Sequence, residues 1–443
     1  MVRNENQAGN STNSDRTPVV GGPLAYSADG RLEFDGIPVA QLARDYGTPL
    51  FVYSAGHIAE RLAEFRAGVG GRKHLICYAV KANSNLSLLR LMNAAGVGAD
   101  IVSGGELFRA RKAGIPADRI VFAGVGKSAA EIDEALSADI HMFSVESEAE
   151  LREISRIAAE TKREARISIR VNPDVDAATH PYISTGLKEN KFGVPHEEVL
   201  ALYDLARELP GTEARGIGFH IGSQLLGLDG YRDAAARVRS LLVELRGRGF
   251  AIDHLDVGGG LGIQYDDEQP PGMAEYARTM FEAFPEADFP DLTLVFEPGR
   301  SIAGNAGVLL TRVLYGKGNA AKHFDIIDAA MNDLIRPALY SAYHQAWPER
   351  SERLSETREA DLVGPICESG DFLVRGRRLP VLEQGDLVAL ASAGAYGFVM
   401  SSNYNSRPRA AEVLVEAGPD GGQASARVIR RRETYDDLIR GED

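Results

Sequence analysis

His74-Leu-Ile-Cys-Tyr-Ala-Val-Lys-Ala-Asn83 is a short apolar run that stops at a lysine and gives way to a helix-sized segment. Its length and its polar stop suit a strand buried on both faces. The same unit recurs at Ala99–Val102, Ile120–Phe122, His141–Val145, Arg166–Val171, Gly216–His220, Ile252–Val257 and Leu292–Glu297, each separated from the next by a helix-sized segment. With the first run over His74–Val80, these make about eight βα units, the number that closes a (β/α)8 TIM barrel. In such a barrel the functional residues sit on the loops leaving the carboxyl ends of the strands.

Beyond residue 305 the texture changes. Gly307–Tyr315, His323–Asp328, Arg378–Leu382, Asp386–Ala391 and Ala411–Val415 follow one another with turns between them, interrupted by one helical segment at about Leu334–His344. The expected class is therefore α/β, a (β/α)8 barrel with a second, mainly β domain. Residues 1–22, rich in Asn, Ser, Thr and Gly, form an expected disordered leader. Residues 23–47 are assigned to an N-terminal segment joining the β domain, with a strand pair around Gly36 in Leu32–Val39. The barrel is expected over 48–305 and the C-terminal β domain over 306–443. No fixed-period repeat occurs.

A net charge of -14 repels a nucleic-acid backbone, and no basic run offsets it. No apolar stretch reaches the roughly 18 residues of a membrane helix, and the first residues lack a signal-peptide core. A cytoplasmic protein binding neither nucleic acid nor membrane is expected. The two cysteines, Cys77 and Cys367, do not make a disulfide framework, and no metal site is expected.

The polar residues at the strand ends each admit two readings. Lys81 is either a snorkelling surface lysine or a desolvated amine able to form a Schiff base with an aldehyde cofactor. His220, in Gly218-Phe-His-Ile-Gly-Ser-Gln224, is either a core histidine or an imidazole stacked on a cofactor ring. The glycines of Asp256-Val-Gly-Gly-Gly-Leu-Gly262 make a tight turn or present N–H groups to a phosphate. Since barrel phosphate sites form after the last two strands, Gly258, Gly259, Gly260 and Gly299 are a candidate cradle. Glu297, in Phe296-Glu-Pro-Gly-Arg300, either pairs with Arg300 or faces a pyridine nitrogen and strengthens the ring as an electron sink.

Together with Cys367-Glu-Ser-Gly-Asp371 these motifs stand in the order seen in the fold-type III decarboxylases dependent on pyridoxal 5′-phosphate. Arg170-Val-Asn-Pro-Asp-Val-Asp176, Ser184-Thr-Gly-Leu-Lys-Glu-Asn-Lys-Phe-Gly193, Asn332-Asp-Leu-Ile-Arg-Pro-Ala-Leu-Tyr340 and Gly394-Ala-Tyr-Gly-Phe398 extend the match, which resembles the diaminopimelate decarboxylase family in particular and spans about residues 45–415. The resemblance implies that Lys81 is the Schiff-base lysine and that His220 stacks on the ring. It implies that Ser223 and Gly258, Gly259 and Gly260 bind the phosphate, and that Glu297 partners the ring nitrogen. Arg300, Arg336 and Tyr340 would hold a distal carboxylate, Glu368 a distal ammonium, and Tyr396 both cofactor and substrate, while Cys367 is similar to the family's proton donor. A homodimer with active sites shared across its interface is implied as well. The reaction implied is decarboxylation of meso-2,6-diaminopimelate to L-lysine and CO2, the last step of lysine biosynthesis. The alternatives are an ornithine- or arginine-type decarboxylase and a non-catalytic homologue, the latter disfavoured because Lys81 and Cys367 are both present.

Overall fold

The eight parallel strands are His74–Ala79, Gly98–Ile101, Ile120–Phe122, Met142–Val145, Ala165–Asn172, Thr212–Phe219, His254–Asp256 and Thr293–Phe296. They pair in that order, and the eighth returns to the first with Leu294 opposite His74, so the sheet closes. This is a computed structural model that describes residues 22–175, 191–319, 322–418 and 422–442. The expected leader up to residue 21, Asp176 and the Ser184–Asn190 part of one motif lie outside the described residues. A strand covered on both faces has no need of alternation, and the second, third and fourth strands are buried at every residue. The sixth strand starts four residues before its expected Gly216, because Thr212, Glu213, Ala214 and Arg215 run only half-buried at the amino end of the barrel. A polar start of that kind carries no strand signal.

The outer helices follow the 3.6-residue period. Glu148–Glu160, for instance, buries Leu151, Ile154, Ile157 and Ala158 on one stripe, and the Ser147 side chain caps it by accepting the Glu150 N–H. On the eighth strand, Phe296 is held by Phe65 at 4.9 Å and by Tyr276 and Phe281, each at 5.8 Å. That aromatic packing fixes the end of the strand from which Glu297 projects.

The second sheet runs in the order Phe372–Pro380, Thr357–Val363, His323–Ile327, Gly307–Gly318, Leu50–Ser54, Ala411–Glu416, Ser425–Arg430, with Leu387–Leu390 also pairing Gly307–Gly318. Leu50–Ser54 departs from the expected barrel start at residue 48. It pairs antiparallel with Gly307–Leu310 and parallel with Ala411–Val415, as a central strand buried at all five residues. Five apolar residues ahead of a helix look like one more βα unit, so sequence alone could not separate the two. Leu24–Tyr26, Leu32–Phe34 and Ile37–Pro38 form a small antiparallel sheet that turns at Gly36, where φ is 79°. Its Leu24, Leu32 and Phe34 pack with Val308, Leu310 and Val413 of the larger sheet.

The helix expected over Leu334–His344 is shorter, Arg336–Tyr340. Pro337 stands in its first turn and Ser341 ends it in the left-handed region at φ 51°. Among the described residues no helix is long and apolar enough to cross a membrane.

Candidate active site

The loops at the carboxyl ends of the barrel strands and two segments of the β domain enclose a cavity of ≈ 380 Å³. Lys81, His220, Ser223, Gly260, Glu297, Gly299, Arg300, Arg336, Tyr340 and Tyr396 all line it. Ten positions scattered over more than three hundred residues of sequence thus meet in one hollow.

Lys81 follows the first strand in a single 3-10 turn, Val80–Ala82, which aims its side chain into the barrel mouth. Its Nζ lies 2.7 Å from Oδ2 of Asp100, at the end of the second strand. Burial alone would pull the ammonium down, but the carboxylates of Asp100 and Glu297 outweigh it and hold it above the usual lysine value. Oδ1 of Asp100 is buried with no hydrogen-bond partner among the described residues.

Glu297 does not pair with Arg300. It stands against Asp256, which also accepts the Gly258 N–H at 2.8 Å. Burial, then the charges of Asp100 and Asp256, push the Glu297 carboxyl well above the carboxylate range, so a proton is held between Glu297 and Asp256. His220 accepts the Gly259 N–H at Nδ1, 3.2 Å away, which puts its hydrogen on Nε2. Burial, then Arg170 and Lys81, hold its imidazole neutral.

The three glycines divide by where their N–H groups go. Those of Gly258 and Gly259 are engaged by Asp256 and His220, and only Gly260 lines the cavity. What these positions require is close backbone approach. A Cβ on Gly259 would stand 2.0 Å from the Glu297 carbonyl, and one on Gly260, where φ is 99°, 2.1 Å from the Gly222 carbonyl.

On the opposite wall, Arg300 donates to the Tyr265 hydroxyl at 2.5 Å and to Ser223 Oγ at 3.0 Å, and its guanidinium covers the Tyr396 ring at 4.9 Å. Arg336 faces the same Tyr265 ring at 4.8 Å and donates to His344 Nε2 at 3.0 Å. Both arginines are buried, at 7% and 5% exposure; among the described residues their acidic partners are tyrosines, Tyr265 foremost, and neither pairs with a carboxylate. Tyr396 is held at φ 58° with its N–H on the Ala82 carbonyl, one residue from Lys81.

Cys367 and Glu368 do not join this cavity. They sit on an exposed turn, where the Cys367 N–H meets Asn405 Oδ1 at 3.2 Å and Glu368 hydrogen-bonds Tyr404. The turn is pinned by Asp371, whose two oxygens accept the Met331 and Ile366 N–H groups at 2.7 Å each.

Asp100, Asp256, Tyr265 and His344 had no assigned role in the sequence. The first two carried a usable signal, since a carboxylate inside an apolar strand needs a partner. Tyr265 and His344 carried none.

The hollow fits a phosphorylated pyridine aldehyde. It combines an amine at its floor, an unsatisfied buried carboxylate oxygen beside that amine, a proton-holding carboxyl pair, and a hydroxyl and guanidinium next to backbone that admits no Cβ.

Residues 55–304 match the family model of the pyridoxal-dependent decarboxylase pyridoxal binding domain. The chain is 52% identical over 414 residues to the diaminopimelate decarboxylase of Pseudomonas aeruginosa, covering 94% of this chain and 97% of the relative. The structure of diaminopimelate decarboxylase from Helicobacter pylori complexed with L-lysine superposes with a TM-score of 0.85 at 45% identity, covering 91% of this chain and 99% of that one. The enzyme of M. jannaschii in co-complex with L-lysine gives 0.88 at 37% identity, covering 96% and 98%.

Proposed function

The chain belongs to the diaminopimelate decarboxylase family of pyridoxal-dependent decarboxylases, and on that premise we propose that the barrel-mouth cavity, completed by Cys367 of a partner subunit, is its catalytic centre. The reaction is decarboxylation of meso-2,6-diaminopimelate to L-lysine and CO2. One observation carries the substrate assignment: Arg300 and Arg336 are buried side by side, with no carboxylate partner among the described residues, facing the same cavity as Lys81. Buried guanidiniums demand an anion, and a carboxylate at the far end of the substrate supplies it.

Lys81 would hold the cofactor through its amine, His220 would cover the ring, and Ser223, Gly260, Gly299, Arg300 and Tyr396 would face the phosphate. Gly258 and Gly259 shape the loop behind them. Pyridoxal 5′-phosphate, when bound, supplies the electron sink that takes up the pair left by the departing carboxylate. The proton held between Glu297 and Asp256 would be available to the cofactor's ring nitrogen. Arg300, Arg336 and Tyr340 hold the distal carboxylate, and Arg300 serves both substrate and phosphate sides. Glu368 of the partner subunit takes the distal ammonium, and Cys367 of the partner subunit gives its Sγ proton to the carbon that has lost CO2.

A homodimer accounts for the exposure of Cys367 and Glu368 on a rigid turn. Leu339 on the cavity helix and Tyr404 beside that turn are 44% and 46% exposed and offer apolar surface to a second subunit. A cytoplasmic setting suits a free thiol used as an acid, because a reducing compartment keeps it unpaired.

With purified protein and added cofactor, we expect CO2 release from meso-diaminopimelate to exceed that from ornithine or arginine by about 10⁴-fold in kcat/KM. Faster release from either basic amino acid would overturn the assignment.

A further inference from the structure

Arg336 reaches the cavity from a helix of only five residues, Arg336–Tyr340, and a long side chain on so short an element needs a support. His344 provides one. The chain turns back at Ser341 and places His344 beneath Arg336, fully buried and outside the cavity lining. Its Nδ1 lies 2.8 Å from the Ala391 carbonyl and its Nε2 3.0 Å from Arg336 Nη1. The carbonyl can only accept and the guanidinium can only donate, so one arrangement satisfies both: a neutral imidazole with its hydrogen on Nδ1 and its lone pair toward Arg336. Ala391 is itself fixed. It follows the strand Leu387–Leu390 and donates its N–H to the Gln345 carbonyl at 2.9 Å, which ties both sides of the imidazole to the β domain. The ring also stands edge-on to Tyr265 at 5.6 Å, and Tyr265 accepts from Arg300.

A neutral acceptor at this point has a particular consequence. An aspartate or glutamate here would hold Arg336 equally well but neutralise it, and would then compete with any incoming carboxylate. We infer that His344 is a positioning residue, which orients Arg336 from the β domain while leaving its charge for the far carboxylate of the substrate. The inference rests on the reading that Arg336 meets that carboxylate.

The test uses the holoenzyme with three substitutions. Gln at 344 can still present an acceptor at the Nε2 position. Asn can keep the bond to Ala391 but falls short of Arg336, and Phe keeps the shape and neither bond. For His344→Phe and His344→Asn we expect KM for meso-diaminopimelate to rise about tenfold or more, with kcat changed by less than about threefold. The inhibition constant of L-lysine, which retains the far carboxylate after decarboxylation, rises in parallel. His344→Gln recovers most of both. Binding of 1,5-diaminopentane, which is L-lysine without its carboxylate, stays as in the parent enzyme, whereas general damage to the site would weaken it equally. The inference is overturned if folded, cofactor-loaded His344→Phe handles diaminopimelate and lysine like the parent, if diaminopentane is weakened alike, or if Gln does no better than Asn. Arg336→Met separates the two layers. A raised KM there with an unchanged His344→Phe removes only the role of His344, and an unchanged KM in Arg336→Met removes the underlying reading as well.

Discussion

Side chains at opposite ends of the barrel are governed by the same balance between burial and neighbouring charge, with different outcomes. At the cavity mouth, the carboxylates of Asp100 and Glu297 keep Lys81 charged against its burial. At the opposite end, His141 lies against His254, ring centroids 4.7 Å apart, and burial, then the neighbouring His254 and Arg166, push its pKa down to about 4. An unfolded chain takes up this proton near pH 6.5 and the folded one only near 4, so the unfolded state binds more protons in between and stability falls as pH drops through that window. Between about pH 7.5 and about pH 5 this one group costs about 2 kcal/mol. Urea unfolding of His141→Asn should therefore lose about 2 kcal/mol less than the parent over the same pH change, and parallel losses in the two proteins would contradict the assignment. Of the site residues, those that end an apolar strand were legible as residue types. Lys81, His220 and Glu297 are polar groups where the pattern stops, and each takes its partner from outside its own strand. The partners were not legible. Asp100 sits beneath Lys81 only because neighbouring strands bring their ends together, and His344 reaches Arg336 only because Ser341 reverses the chain.

Elements were legible where burial imposes a pattern and obscured where it does not. Eight barrel strands stood out as apolar runs, but Leu50–Ser54 carries the same signature and belongs to the other sheet. The helix beginning at Arg336 was overestimated because Leu339 and the residues after it keep an amphipathic rhythm past the turn at Ser341. The glycine turn after the seventh strand was legible from its glycines, and its close approach to the eighth was not. Its backbone passes so close to the turn after the eighth strand that Gly259→Ala would drive a methyl group to 2.0 Å from the Glu297 carbonyl, a backbone atom that cannot swing aside. We expect that variant to weaken cofactor binding by about ten- to a hundredfold and to lower the unfolding temperature, since forced overpacking costs about 1–3 kcal/mol. Cofactor titration followed by visible absorbance, together with thermal unfolding, measures both. Parent-like affinity would show that the two turns can separate and that the close approach is dispensable.

For the molecule as a whole, the two domains divide the labour. The barrel supplies the amine, the carboxyl pair and the glycine loops, and the β domain brings Arg336, Tyr340 and Tyr396 over the mouth. Cys367 and Glu368 remain on the outside of their own chain, on a turn that Asp371 makes rigid. If the site is completed by a neighbour's turn, as proposed above, activity is a property of the pair. The decisive measurement mixes two inactive proteins, Lys81→Ala and Cys367→Ala, under conditions where subunit exchange is verified. In a symmetric dimer, random exchange makes half of the molecules hybrids, each with one intact site, so decarboxylation of meso-diaminopimelate should return to about a quarter of the parent's rate. If exchange is complete and the mixture stays inactive, Cys367 does not act across the interface and the shared centre described here does not exist.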